Sequence, residues 1–460
     1  MITEWKRKYI GSPAFYRRYI QLAAPMIVQN AITNFVSFLD NIMVGQLGRE
    51  AISAVATVNQ LIFVYYLAVF GAASAASIYG AQFFGKKDHK GHMYTFRFKL
   101  YILTVVVFVA VGLFVFKGSD LILLFLSDDT GAREIALSYG LEYLEIMIVG
   151  LIPFAINQAY ASTIKETGQT VVPMLAGMVA VATNAILDYL LIFGIGPFPK
   201  LGVAGAALAT VIARFMETII VIIWAHGHVG QNAYLVGAYK GFGIPRDILQ
   251  KIAIKGTPLM CNEILWAAGM SMVTQCYSVR GMDVLTALSI SNTVGNLFNI
   301  VFIQLGACIS IIVGQLLGAG NLEEAKDADN KMIAFSVFCC TIMSVIMFAC
   351  GGLFPQLYNV DGEIRNLAAR FIDVAALWMP FAAYTNCAYF TLRSGGKTVV
   401  TFLLDSVFIW VVMAPLAFVL AHFSGFSILT VYFFVQGTEL LKVVVGYFMV
   451  KSNVWVVQMV

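Results

Sequence analysis

Charged residues are scarce in this sequence: Asp, Glu, Lys and Arg together make up only 12% of its 460 residues, while 60% of the residues are hydrophobic. Ordinary soluble domains carry about 25% charged and about 45–50% apolar residues, so a water-soluble fold of this size is excluded. The small net charge of +4 excludes the basic surface that nucleic-acid binding requires, and no nucleic-acid partner is expected. Disorder is excluded as well, because disordered chains have low hydrophobicity.

Cysteine is also rare, and no catalytic or metal-binding motif accompanies it. The seven cysteines lie in apolar runs of the second half of the chain, without the spacing of a zinc site. An odd set of this kind is typical of small buried side chains rather than of disulfides. A phosphate-binding loop and a nucleophile motif are both missing. We therefore expect no enzyme, no resident cofactor and no structural metal ion.

Long hydrophobic runs, in contrast, are abundant. A membrane-spanning helix needs about 20 predominantly apolar residues. Twelve segments meet this requirement, with approximate bounds 18–45, 51–84, 98–116, 136–160, 169–194, 202–226, 252–279, 284–317, 332–354, 364–391, 398–421 and 426–450. Their length and their lack of strict alternation predict helices rather than barrel strands. The predicted fold class is an all-α membrane protein with twelve transmembrane helices.

The basic residues of the connecting segments predict the orientation. Lys and Arg accumulate on the cytoplasmic side of membrane proteins. Alternate connections, beginning with Lys6, Arg7 and Lys8, hold 20 of these residues, whereas the opposite set of connections holds seven. Both termini are therefore predicted to face the cytoplasm, in a multi-pass protein of the cell (inner or plasma) membrane.

An internal repeat relates the two halves of the chain. At an offset of 233 residues, Pro25 falls on Pro258 and Asn59 falls on Asn292, within a gap-free match that begins at Pro25. Each half then holds six helices, and an even number returns the chain to the same side. Two six-helix bundles, related by a pseudo-two-fold axis along the membrane normal, are typical of transporters. We expect an amino-terminal lobe, a cytoplasmic linker and a carboxy-terminal lobe at 1–230, 231–250 and 251–460.

Acidic side chains inside these segments cost about 2.5–3.5 kcal/mol at a helix centre, so they are candidates for function. Asp40 lies near the outer end of helix 1, and Asp188 lies near the outer end of helix 5, one turn after Asn184. Helix 6 enters from the outside, which places Thr210 at a similar depth, roughly 7–12 Å below the outer ends. Such oxygen ligands suit a hard cation, including Na⁺, or a proton. We interpret these four residues as a cation or proton site; the alternative is that Asp40 only reaches the outer headgroups.

A polar stripe along helix 1 argues against that alternative. Asn30, Asn34 and Ser37 recur at a spacing of three to four residues and lead to Asp40, so that all four share one helix face. A carboxylate on this face is directed at protein or water rather than at lipid. Pro25, on the same helix, removes a backbone hydrogen bond and predicts a kink.

The second half carries a different set of polar residues. Glu263 lies near the midplane of helix 7 and Trp266 lies one turn beyond it, where an aromatic face would attract an organic cation. The candidates for a substrate cavity are therefore Asn30, Asn34, Ser37, Glu263 and Trp266. Two further pairs have the i, i+3 spacing of structural ion pairs, namely Arg214 with Glu217 and Glu439 with Lys442.

Several segments resemble a known family, the multidrug and toxic compound extrusion (MATE) transporters. They are FLDNIMVGQLG in helix 1, GAQFFGKKD at the end of helix 2, NAILDYLLIFG in helix 5 and GVAGAALATVIAR in helix 6. The resemblance covers about residues 15–450. It implies a secondary antiporter that exports organic, mostly cationic and amphipathic compounds in exchange for inward H⁺ or Na⁺. It maps the ion site to Asp40, Asn184, Asp188 and Thr210, with a carbonyl ligand from Ala206.

The chain departs from one branch of that family. In that branch a helix 7 glutamate follows the proline by eight residues, whereas here that position is Trp266 and Glu263 follows Pro258 by five. This difference favours the amino-terminal lobe as the ion site. The choice between H⁺ and Na⁺ stays open, and so does the contribution of Asp373 and Asp405 to a site in the second lobe.

Other functions are compatible with twelve membrane helices. A flippase for lipid-linked precursors, of related architecture, would need a strongly cationic cavity, whereas these helices carry acids and few free Lys or Arg. A passive channel would conduct without exchange, and an intramembrane enzyme would need a nucleophile or metal motif. The expected partners are small organic substrates and membrane lipid, and the expected state is a monomer.

Overall fold

Twelve long helices make up almost all of the described chain. The computed structural model describes residues 8–125, 130–241, 243–358 and 360–460, and Lys6 and Arg7 lie outside them. In chain order the helices are α1 (Pro13–Gly45), α2 (Arg49–Gly85), α3 (His89–Leu123), α4 (Thr130–Glu166), α5 (Val171–Phe193), α6 (Val203–Gly227), α7 (Arg246–Ser278), α8 (Met282–Gly318), α9 (Leu322–Cys350), α10 (Gly362–Ser394), α11 (Thr398–Phe423) and α12 (Ile428–Lys451). No strand occurs in the described ranges. The prediction of an all-α protein with twelve helices is confirmed.

Two of these helices are irregular in a way that the sequence does not predict. Helix α11 contains two π-helical stretches, Leu403–Val407 and Ile409–Met413. Such stretches shift the register of side chains and are frequent at functional sites. Helix α12 is interrupted at Thr438. Two short 3₁₀ helices, Ala233–Leu235 and Phe354–Leu357, lie in the connections after α6 and α9.

Eleven of the described helices are long and apolar enough to cross a membrane, and α7 is the exception. Helix α7 is less apolar because it carries Lys251, Lys255 and Glu263. Several bounds also differ from the predicted ones: α3 begins at His89 rather than at 98, and α9 ends at Cys350 rather than at 354. Hydropathy marks only the part of a helix that crosses the hydrocarbon layer, whereas helical hydrogen bonding continues beyond it.

The helices belong to two compact units. The amino-terminal unit comprises residues 24–80 and 89–252. The carboxy-terminal unit comprises the described part of 1–23 together with 81–88 and 253–460. The predicted lobe boundaries at residues 230 and 250, the symmetry axis and the orientation of the termini stay predictions.

Close packing in the amino-terminal unit joins α1, α5 and α6. Gly194 ends α5 in a left-handed conformation with φ 70°, which glycine adopts without strain. A Cβ atom on Gly205 of α6 would lie 2.7 Å from the Leu191 carbonyl oxygen, so glycine lets α5 and α6 approach closely. Gln29 of α1 donates from Nε2 to the Pro173 carbonyl at 3.2 Å. The four side chains of the predicted ion site lie on these three helices.

The carboxy-terminal unit has its own buried apolar core, to which α7, α8, α10, α11 and α12 contribute. The unit includes the start of α1, where the Tyr19 hydroxyl donates to the Leu305 carbonyl at 2.9 Å. It also includes the end of α2, where Gln82 donates from Nε2 to the Ser394 carbonyl at 3.0 Å. Hydrogen bonds between residues that are distant in sequence therefore hold the start of α1 and the end of α2 within this unit.

Candidate ion-coupling site

Two membrane-embedded acids meet in the amino-terminal unit. Asp40 lies on α1 and Asp188 on α5, and their carboxyl groups lie within electrostatic range of each other. Asp188 is 1% exposed, and Asp40 is half-buried. Two ionised carboxylates have no hydrogen to share, so this contact can be a hydrogen bond only when one of the acids carries a proton. We call Asp40 and Asp188 the acid pair.

A short chain of hydrogen bonds connects the other predicted site residues. Asn184 donates from Nδ2 to the Thr210 hydroxyl at 3.4 Å, and that hydroxyl donates to the Ala206 carbonyl at 3.1 Å. A carbonyl oxygen has two lone pairs, so the Ala206 carbonyl keeps acceptor capacity for a ligand. The structure thus links Asn184 to Thr210 by a hydrogen bond. The hydrogen bond from Thr210 occupies one of the two lone pairs of the Ala206 carbonyl oxygen.

The acid pair has unsatisfied oxygen atoms. In the described part of the chain, no donor lies within 3.5 Å and in hydrogen-bonding geometry of Asp40 Oδ1 or of either carboxyl oxygen of Asp188. A buried charged oxygen without a partner is costly, and a bound proton or cation removes that cost. Carboxyl, amide and hydroxyl oxygens also suit a hard monovalent or divalent ion. These ligand oxygens therefore suit a proton or Na⁺.

The sequence does not predict that Tyr143 and its hydrogen-bond partner Asn59 lie near the acid pair. Tyr143 of α4 is buried, and its hydroxyl lies within electrostatic range of both acids. It donates to Asn59 Oδ1 of α2 at 3.3 Å. The repeat singles out Asn59, but it gives no reason to place that residue beside α4, because the contact arises from packing between helices.

A cation also lies next to the acid pair. Arg214 Nη1 donates to Glu217 Oε2 at 3.3 Å, which confirms the predicted ion pair on α6. The guanidinium carbon lies 5.2 Å from the centre of the Phe154 ring and 5.7 Å from that of Tyr66. The charge of Arg214 also acts on Asp40. The sequence predicts the ion pair between Arg214 and Glu217, but it does not predict that Arg214 acts on Asp40.

Some side chains of the polar stripe on α1 form hydrogen bonds with backbone carbonyls of the same helix. Asn30 donates from Nδ2 to the Met26 carbonyl at 2.9 Å, and Ser37 donates from Oγ to the Thr33 carbonyl at 3.0 Å. Asn34 and Ser37 are exposed and Asn30 is half-buried, so these side chains are accessible on one face of α1. Pro25 is buried within the continuous α1 helix. The substrate cavity and the kink at Pro25 stay predictions.

The remaining cavity candidates belong to the carboxy-terminal unit. Glu263 of α7 is half-buried and lies within electrostatic range of Arg393 and Asp405. Asp405, on the first π-helical stretch of α11, accepts a hydrogen bond from Asn262 Nδ2 at 2.9 Å. Trp266 is 37% exposed. The predicted ion pair on α12 is confirmed by a distance of 2.9 Å between Lys442 Nζ and Glu439 Oε1.

Comparison with known proteins relates both halves of the chain to one family. The MatE family profile matches twice, over residues 25–190 and 258–419. The two matches begin 233 residues apart (258 − 25), which is the offset of the internal repeat. The probable multidrug resistance protein NorM of Thermotoga maritima is 24% identical over 424 residues, covering 91% of this chain and 88% of that protein. The probable multidrug resistance protein YoeA of Bacillus subtilis is 23% identical over 441 residues, covering 94% and 92%.

Solved structures share the fold at low sequence identity. An outward-facing multidrug resistance MATE family transporter of the MOP superfamily gives a TM-score of 0.85 with 16% identity, covering 95% of both chains. The MATE transporter VcmN of Vibrio cholerae, in a bent form, gives a TM-score of 0.84 with 16% identity, covering 96% of this chain and 98% of that chain.

Proposed function

The chain belongs to the MatE family of multidrug and toxic compound extrusion transporters, and on this premise we propose that it exports amphipathic organic cations in exchange for protons bound at the acid pair. The family consists of multi-pass membrane transporters and not of enzymes. The proposal includes a monomer whose two termini lie in the cytoplasm. Na⁺ is the second candidate for the coupling ion, because the same oxygen atoms suit it.

The contact between two carboxyl groups carries this proposal. Asp40 and Asp188 lie within electrostatic range of each other, and they can hydrogen-bond to each other only when one of them carries a proton. A cation that replaces the proton must pair with the carboxylate oxygens that lack another donor. Proton and organic cation therefore compete for the same negative charge, and competition of this kind is what an antiporter requires.

The competition sets the order of events. When the acid pair has lost its proton, its negative charge attracts a cationic substrate from the cytoplasm. A proton arriving from the outside then removes one negative charge from the pair and weakens binding of the cation. Loss of one close charge partner in a partly desolvated site weakens binding by about 1.4 kcal/mol or more, roughly tenfold. Asn184 and Thr210 supply neutral oxygens that orient the pair without adding charge.

Gradient-driven transport tests this proposal. In inverted vesicles that contain the protein, we expect a fluorescent cation such as ethidium to accumulate when the lumen is acidic, since outward proton flow drives uptake of the dye. A protonophore should abolish the accumulation, and vesicles without the protein should show none. Accumulation driven by a Na⁺ gradient alone would make Na⁺ the coupling ion. No accumulation with either gradient would contradict antiport.

A further inference from the structure

Arg214 lies on the same face of α6 as the predicted ion-site residue Thr210. It follows Thr210 by four residues, which is one helical turn. The guanidinium group lies over the rings of Phe154 and Tyr66, with the guanidinium carbon 5.2 and 5.7 Å from their centres. These rings help to hold the cation in place by cation–π attraction.

The cation has two acidic neighbours on different helices. Its Nη1 atom donates to Glu217 Oε2 at 3.3 Å, on α6 itself. Its charge also acts on Asp40 of α1. The Glu217 bond is the one ion pair of Arg214 in the described chain, and a guanidinium has five N–H donors. Donors that the Glu217 pair does not use can therefore serve a second carboxylate.

The depth of Arg214 argues against a purely structural pair. It lies 11 residues after the start of α6 at Val203, or about 16 Å at 1.5 Å per residue, near the middle of a hydrocarbon core about 30 Å thick. A charge at that depth is costly and typical of functional positions. The Arg214 side chain is 28% exposed, whereas Glu217 is 8% exposed. Arg214 is therefore accessible to a ligand, and Glu217 lies behind it.

We propose that Arg214 is a tethered counter-ion that moves between Glu217 and Asp40 and competes with a cationic substrate for the Asp40 carboxylate. When Asp40 is protonated, Arg214 pairs with Glu217. When Asp40 is ionised, either Arg214 or the substrate pairs with it. Glu217 also pairs with Arg214 and so reduces the ability of Arg214 to compete with the substrate for Asp40. The charged and titratable groups around this equilibrium are those of Asp40, Tyr66, Tyr143, Asp188 and Glu217.

This inference rests on the proposed function, since it assumes that the substrate pairs with Asp40, and it assigns opposite effects to two neighbouring substitutions. Arg214→Gln should strengthen equilibrium binding of tetraphenylphosphonium at pH 8, by about tenfold, because the competing charge is gone. Glu217→Gln should weaken binding by a similar factor, because Arg214 is then free to pair with Asp40. Tetraphenylphosphonium is suitable because its charge does not titrate.

Controls separate competition from loss of structure. Arg214→Lys keeps the charge and should bind tetraphenylphosphonium nearly as the wild type does, while triphenylphosphine oxide, a neutral probe, should bind equally to all variants. In an Asp40→Asn background, neither substitution should change binding of the cation. A purely structural ion pair predicts that Arg214→Gln and Glu217→Gln shift binding in the same direction, and that result would overturn the proposal. Unchanged binding in either variant would do the same.

The experiment also separates this inference from the proposed function. If Asp40→Asn leaves transport intact, the proposed function fails and the competition has no site. If Asp40→Asn abolishes transport but the two substitutions do not act in opposite directions, only the inference fails. Should Arg214→Gln not fold, Glu217→Gln still decides, since the proposal requires weaker binding of tetraphenylphosphonium and unchanged binding of triphenylphosphine oxide in that variant.

Discussion

Asp40→Asn and Asp188→Asn are each expected to reduce proton-driven ethidium accumulation to the level of vesicles without the protein. Asparagine keeps the size and the hydrogen-bonding capacity of the side chain, but it cannot exchange a proton. Each variant therefore retains the packing of α1 against α5 and loses the step that couples the two flows. Transport is measured in inverted vesicles with an acidic lumen, at protein amounts matched by size-exclusion chromatography.

The matched control is Asp283→Asn, the same chemical change at an exposed position in the first turn of α8. This variant should transport at the wild-type rate, because Asp283 belongs to the carboxy-terminal unit and lies outside the acid pair. Normal transport by a well-folded Asp40→Asn or Asp188→Asn protein would remove the acid pair from the coupling mechanism. The group around Glu263 and Asp405 would then be the next candidate.

The affinity for a fixed-charge cation should rise steeply with pH. Below the range in which the acid pair titrates, the pair holds its proton, carries less negative charge and attracts tetraphenylphosphonium weakly. Above that range the pair has lost this proton and binds the cation more tightly. Where each bound cation displaces one proton, the dissociation constant should fall by up to about tenfold per pH unit. Equilibrium binding in detergent between pH 5 and pH 8, in Na⁺-free buffer, measures this slope.

Substitutions in the two units should affect this slope differently. Asp40→Asn should flatten the pH profile, because the titrating charge is lost, whereas Glu263→Gln should leave the slope unchanged. A profile that stays steep in both Asp40→Asn and Asp188→Asn would show that another group titrates. A profile that is flat in Glu263→Gln but steep in Asp40→Asn would assign coupling to the carboxy-terminal unit.

The shared depth of the two acids follows from sequence features that are local and one-dimensional. Hydropathy gives the part of each helix that crosses the hydrocarbon layer, and the rise per residue converts a position into a depth. The sequence therefore predicts one common depth in the membrane for four side chains without any knowledge of the packing: Asp40, Asn184, Asp188 and Thr210. Glycine residues, such as Gly194 directly after α5 and Gly205 near the start of α6, then let the helices lie close together.

The rest of the site depends on which helices are neighbours and how each is rotated. Tyr143 and Arg214 lie beside the acid pair because of packing between helices, and neither residue differs in sequence pattern from an ordinary membrane tyrosine or an i, i+3 ion pair. Asp405 lies on the first π-helical stretch of α11 and accepts a hydrogen bond from Asn262, and hydropathy does not predict a π-helical stretch. Depth is thus predictable from sequence here, whereas contacts between helices are not.

Proton release on substrate binding tests the central claim most directly. When tetraphenylphosphonium is added to the detergent-solubilised protein in weakly buffered, Na⁺-free solution, a pH indicator should record about one proton released per bound cation. The release should occur within the pH range in which affinity changes, and Asp40→Asn should release none. Saturating binding to the wild-type protein without proton release at any pH between 5 and 8 would contradict exchange of protons for organic cations at the acid pair.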